Sequence, residues 1–192
     1  MKSINKTALG IACIAIIFVS YVIFVNLIQT RYVQPDYPMY NTENSLVNEA
    51  TDIVIGEVIS TKSEKIKIAF TEGRKYENDE DKMMYTISEV KVIETLKGDI
   101  NTGDTIQIKQ LGDGKRTIDK VVVENGGYYA KGDKKVFFLM SYKEFGVPYS
   151  VVNPIQGQIA LDNDFIVKNE NNPLFKDVKN IQELIERIEK YK

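Results

Sequence analysis

Apolar residues fall along this chain in three regimes: an unbroken block near the start, a long middle of short strand-like runs, and a helical stripe at the end. The block ALGIACIAIIFVSYVIFVNLI, Ala8 to Ile28, is 21 residues long and carries no charge. At a rise of ~1.5 Å per residue, a helix of that length covers the ~30 Å hydrocarbon layer of a bilayer. Thirteen of its residues are Leu, Ile, Val or Phe, each favouring insertion by ~0.3–0.6 kcal/mol near the bilayer centre. Residues 8–28 therefore predict a transmembrane helix in contact with lipid. Lys2, Lys6 and the terminal amine precede it, whereas Asp36 and Glu43 follow Arg31. That bias predicts a single-pass protein of the cell membrane with a cytoplasmic N-terminus and the rest of the chain outside. A cleaved signal peptide shares the basic start, but its apolar core runs only ~7–15 residues before an A-x-A site, which VIFVNLIQT lacks. A lipoprotein reading would acylate Cys13, yet Gly10 stands where a large aliphatic residue is usual.

Residues 31–41, RYVQPDYPMYN, hold Pro35 and Pro38 and no helical period, which predicts an extended tether. Tyr32, Tyr37 and Tyr40 are suited either to the headgroup level or to packing on the domain. TENSLVNEA, Thr42 to Ala50, predicts a short helix that offers Leu46, Val47 and Ala50 to a core.

From there to about Lys168 the pattern is β. DIVIGEVISTK (52–62) opens apolar on both faces, as does KKVFFLMSY (134–142), and both read as covered central strands. GDTIQIKQLG (103–112) alternates Ile106 and Ile108 against Thr105, Gln107 and Lys109, a half-buried strand. In MMYTISEVKVIETLKGD (83–99), Tyr85 and Ile87 keep one phase while Val90, Val92 and Leu96 keep the other, which predicts a β-bulge near Ser88 and Glu89. TIDKVVVENGG (117–127) supplies another strand, and Asp162, Asn163 and Asp164 predict a hairpin turn. The acidic segment 71–83 reads as a loop. The last stretch, NIQELIERIEKYK, repeats Ile181, Leu184, Ile185, Ile188 and Tyr191 at helical spacing. Asn180 and Glu183 resemble a capping box, and Glu183–Arg187 and Glu186–Lys190 are favourable i,i+4 pairs.

The expected fold is mainly β: a small OB-like antiparallel β-barrel with a short N-terminal helix and a C-terminal amphipathic helix, preceded by one transmembrane helix. The expected division is 1–30 cytoplasmic stub and membrane helix, 31–41 tether, 42–168 barrel, and 169–192 linker and terminal helix.

Beyond the apolar block lie about 160 residues, enough for one domain with a substantial core. Without Lys2 and Lys6, 23 basic residues face 27 acidic ones, a formal charge of −4 that disfavours nucleic acid. Cys13 is the only cysteine, so the outer part has no disulfide and relies on its core, a habit that suits a Gram-positive-like envelope.

The order of LVNEATDIVIGEVIS with its mid-strand Gly56, YTISEVKVIETLKGD ending in Leu96, Lys97, Gly98 and Asp99, GDTIQIKQLG and KGDKKVFFLM resembles the netrin and metalloproteinase-inhibitor superfamily of OB-like barrels. The resemblance runs from about Leu46 to Tyr142 and is shared with bacterial membrane-anchored proteins. It implies a barrel with a concave binding face. The inhibitors' free N-terminal cysteine and disulfide framework have no counterpart in these residues, so their chemistry does not carry over.

The chain has no histidine, which removes histidine-based triads and the commonest zinc sites. No Ser–Lys or carboxylate pair stands out as catalytic, no cofactor motif is present, and GDGK (112–115) lacks phosphate-loop spacing. Glu77, Asp79, Glu80 and Asp81, and Asp162 with Asp164, offer the oxygen ligands calcium takes but not its loop pattern. KSEKIK (62–67), GKR (114–116) and KGDKK (131–135) are basic pieces with a possible affinity for anionic polymer. Tyr128 and Tyr129, behind a Gly-Gly turn, are the candidate binding aromatics. These residues lead to an expected non-enzymatic outer module that binds a protein or peptide partner in the envelope. Envelope-polymer binding or sensing and a hydrolase built on carboxylates are the alternatives.

Overall fold

The computed structural model describes residues 6–27, 31–32, 36–67, 82–113, 121–122, 127–162, 165–168 and 172–192. The first element, α1 (Lys6–Leu27), is one helix of 22 residues. Its side chains are described from Ile14 to Phe24, eleven residues or ~16 Å of helix, and all of them are exposed. Among the described residues no helix is long and apolar enough to cross a membrane.

The remaining elements are β1 (Arg31–Tyr32), α2 (Glu43–Glu49), β2 (Asp52–Lys67), β3 (Lys82–Lys97), β4 (Thr105–Leu111), β5 (Val121–Val122), β6 (Lys134–Met140), β7 (Ser150–Val151), β8 (Gln158–Leu161), β9 (Val167–Lys168) and α3 (Ile181–Glu189). β1 and β5 form a separate two-residue parallel pair. The other seven strands make one antiparallel sheet in the order β4-β3-β2-β6-β8-β9, with β7 beside β6.

This sheet is open, which corrects the expected closed barrel. β4 meets the β7 end through one parallel bridge, Ile108 to Tyr149, where Lys109 N–H donates to Tyr149 O at 2.8 Å and Tyr149 N–H donates to Gln107 O at 2.9 Å. The pairing does not extend upstream, because the next N–H that would face β4, that of Val147, donates to Tyr142 O at 3.3 Å instead. β7 itself is only two residues long.

Strands β2 and β6 are covered on both faces, as their sequences predict. Ile53, Ile55, Val136 and Phe138 join Leu46 and Val47 of α2, Leu184 and Ile188 of α3, and Phe175 in one cluster. Val54, Val58, Phe137 and Leu139 turn the other way, into a second cluster with Val90, Val92, Ile106, Ile108 and Tyr149. Each fully buried side chain of this size stabilises the fold by about 1.5–3 kcal/mol. The α3 stripe thus docks on the sheet. Asn180 caps it by accepting from Glu183 N–H at 2.9 Å, although Glu183 reaches back to Lys179 N–H rather than that of Asn180. Arg187 forms the expected pair with Glu183 and also bonds Asp177 and Glu43, tying α3 to the start of α2.

The expected bulge is displaced. β3 and β4 keep continuous register from Tyr85–Leu111 to Lys91–Thr105, so Ser88 and Glu89 are regular. The extra residue opposite them is Ile59 in β2, and β3 carries its own extra residues at Ile93 and Leu96. The two phases in β3 arise because Ile87 is buried on one face and Val90 and Val92 on the other.

The motif Leu96-Lys97-Gly98-Asp99 locks the sheet to α2. Lys97 Nζ donates to the carbonyls of Val47 and Ala50, both at 2.7 Å, at the helix C-terminus where a cation is favoured. Asp99 N–H donates to the buried Asp52 carboxylate at 3.1 Å. Gly98 turns the chain at φ +93, where an added Cβ would stand 2.2 Å from Asp52 Oδ1. Gly56 answers a different need, since its Cβ would meet Val90 Cγ1 at 2.4 Å across the bulged pairing.

The tether has no regular secondary structure from Asp36 to Tyr40, and it is clasped by the domain. The buried Gln156 amide accepts from Tyr40 N–H at 2.9 Å and donates to Tyr40 O at 2.7 Å, while Asn153 Nδ2 donates to Pro38 O at 2.9 Å.

Candidate functional site

The two aromatics singled out in the sequence have structural roles. Tyr129 is 4% exposed and belongs to the core. It lies edge-on to Phe137 with ring centroids 5.4 Å apart, within the second cluster. Among the described residues its buried hydroxyl has no hydrogen-bond partner, and burial raises its pKa. Tyr128 is half-buried and donates its hydroxyl to Leu111 O at 2.9 Å. Burial pushes it up to about 12, aided by Asp113.

Glu77, Asp79, Glu80, Asp81, Asp164 and the GKR piece lie outside the described residues. Asp162 accepts from Ile166 N–H at 2.8 Å and so serves the β8–β9 hairpin. Among the described residues no group of three or more Asp, Glu, Cys or His residues is placed to hold a metal. Asp113, of the GDGK turn, is buried and accepts from Ser63 at 2.7 Å. Among the described residues the basic pieces make separate contacts. Lys134 and Lys135 spread over the rings of Phe165 and Tyr129, and Lys62 pairs with Glu64.

What the structure does bring together is the open seam between β4 and the segment before β7. A groove of about 460 Å³ lies there, walled by the β3–β4 turn (Asp99, Asn101, Asp104) and β4 (Thr105 to Gln107) on one side. Lys143 and Gly146 to Tyr149 form the other side. The Gln107 carbonyl and Lys109 N–H point away from β3, as their bonds to Tyr149 show. By strand alternation the N–H and C=O of Thr105 and the N–H of Gln107 face the same way, into the groove. Among the described residues no backbone group pairs with this edge, because the Val147 N–H that would reach Thr105 O turns back to Tyr142 O.

Lys109 closes the inner end of this seam. It is 6% exposed, donates Nζ to Pro148 O at 2.7 Å, and sits 3.9 Å from the Tyr142 ring centroid. Among the described residues no carboxylate pairs with it, and burial lowers its pKa to about 8. Sequence reasoning placed Lys109 on the polar phase of β4. The covering residues Tyr142 and Pro148 lie more than thirty positions away, and no local pattern points to them.

No family model matches the chain, and no curated protein or solved structure matches it.

Proposed function

We propose that this protein is a single-pass membrane-tethered binding module, non-enzymatic, whose outer β domain holds an extended segment of a protein or peptide partner in the seam groove. The observation that carries the reading is the unpaired edge of Thr105 to Gln107 inside a concave, part-polar groove. Extended peptides add to such edges through main-chain hydrogen bonds. The anchored half of the proposal rests on α1, one continuous helix whose sequence is apolar on every side. A helix of that kind belongs inside a large core or a bilayer. The strand path β4-β3-β2-β6-β7, with its parallel bridge back to β4, supports an OB-like reading of the domain and its resemblance to the netrin-type barrels.

The test is site-specific photocrosslinking in intact cells from Val147 on the groove wall, compared with Thr105→Pro in the same background. Proline at Thr105 removes an N–H that points away from β3 and leaves the β3–β4 ladder whole. A discrete protein adduct that Thr105→Pro abolishes supports edge pairing. No adduct, or an adduct indifferent to Thr105→Pro, contradicts it.

A further inference from the structure

Exposed large hydrophobic side chains outside α1 are few among the described residues: Met39, Ile59, Met83, Phe145 and Ile166. Three of these five gather where the tether meets the domain. Met39, 62% exposed, lies in the tether between the clasped residues Pro38 and Tyr40. The clasping residues Asn153 and Gln156 follow β7, which pairs with the Met140 end of β6. Phe145, 55% exposed, belongs to a short 3-10 turn, Lys143–Phe145, that follows the same end of β6. Tyr142 beside it lies close enough to Tyr40 to act on its ionisation. Met83, 43% exposed, shares a face of β3 with Tyr85 two residues on. Tyr85 in turn feels both Tyr37 of the tether and Tyr142.

One end of the domain thus carries a rim of Met39, Phe145 and Met83 around tyrosines 37, 40, 85 and 142, with exposed Lys143 beside it. Aromatic rings with a polar tip, flanked by lysine, are the side chains that settle at a membrane–water interface. The clasped residues follow α1 within at most ~40 Å of extended chain. Only residues 28–30 separate Leu27 from β1, which pairs with β5, a reach of at most ~14 Å at ~3.6 Å per residue. Ten residues separate Leu27 from the clasped Pro38.

We propose that this tether-side end lies flat on the bilayer that α1 enters, with Phe145, Met39 and Met83 at headgroup depth. The inference rests on the anchored reading above and goes beyond it by fixing which face the domain turns to lipid. The groove wall from Lys143 to Tyr149 then stands next to the membrane surface, so a partner segment enters the seam close to the bilayer.

The chain has no tryptophan, so a single introduced one reports its own surroundings. Full-length Phe145→Trp, Phe18→Trp and Lys131→Trp are each reconstituted into phosphatidylcholine–phosphatidylglycerol vesicles with brominated or plain acyl chains. Lys131 precedes the opposite end of β6, ~23 Å away along a strand of seven residues. The expected result is loss of emission by bromine at Phe18→Trp and Phe145→Trp, and none at Lys131→Trp. Quenching at Phe18→Trp alone overturns the lipid-facing end while leaving the anchor intact. A blue-shifted but unquenched Phe145→Trp likewise overturns it and assigns the rim to a protein contact. Absence of quenching at Phe18→Trp overturns the anchored reading itself. Equal quenching at Lys131→Trp and Phe145→Trp removes the orientation.

Discussion

The two adjacent tyrosines, alike in sequence, have opposite energetic roles. Tyr129 buries a hydroxyl without a partner among the described residues, and such a group costs about 1–3 kcal/mol. Tyr129→Phe should therefore raise the denaturation midpoint, whereas Tyr128→Phe should lower stability by about 1 kcal/mol through loss of the bond to Leu111 O. Urea titration of the pair checks both signs. Lys109 gives a pH signature. Its folded pKa of about 8 lies below the ordinary 10.5, so between those values the unfolded chain binds more protons and stability rises with pH. The full effect is on the order of 3 kcal/mol. Lys135, also lowered by burial, acts in the same direction. Tyr85 and Tyr128, each raised to about 12, reverse the slope above pH 10. Stability measured from pH 7 to 11 should peak near pH 10, and Lys109→Met should flatten the rising limb.

At the scale of elements, the junction of α2, β2 and β3 depends on residues that contribute little apolar surface. Gly98→Ala forces a side chain into a positive φ against Asp52, and should destabilise by about 1–3 kcal/mol or more in thermal melts. Ile188→Ala, which opens a cavity under α3, should cost about 2–5 kcal/mol, and a smaller loss would mean that α3 docks loosely. Much of this architecture is legible in the sequence. Leu46, Val47 and Ala50 at helical spacing, the doubly apolar β2 and β6, and the Leu184–Ile188 stripe each bury the faces their periods assign. Position of the bulge is not legible, because a phase change within one strand looks the same whether both faces are covered or a residue is inserted. Here Ile87 is covered from one side, and the inserted residue is Ile59 of the partner strand, opposite the step from Glu89 to Val90. Closure of the barrel is equally hidden. It hangs on Val147, whose N–H turns back to Tyr142 O instead of reaching β4, a matter of residues some forty positions apart in the chain. The seam groove and its Lys109 latch follow from that same distant meeting, and neither Tyr128 nor Tyr129 signals it.

For the whole molecule, the clasp of Gln156 and Asn153 holds Pro38 and Tyr40 of the tether to the domain. Placing arginine at Ile17, midway along α1, should cost roughly 3 kcal/mol of insertion. The central claim is that α1 holds this domain at a membrane, and alkaline carbonate extraction of membranes from cells expressing full-length wild type and Ile17→Arg tests it most directly. The account predicts wild type in the pellet and Ile17→Arg in the supernatant or degraded. Wild type in the supernatant, or Ile17→Arg retained as firmly as wild type, would contradict it.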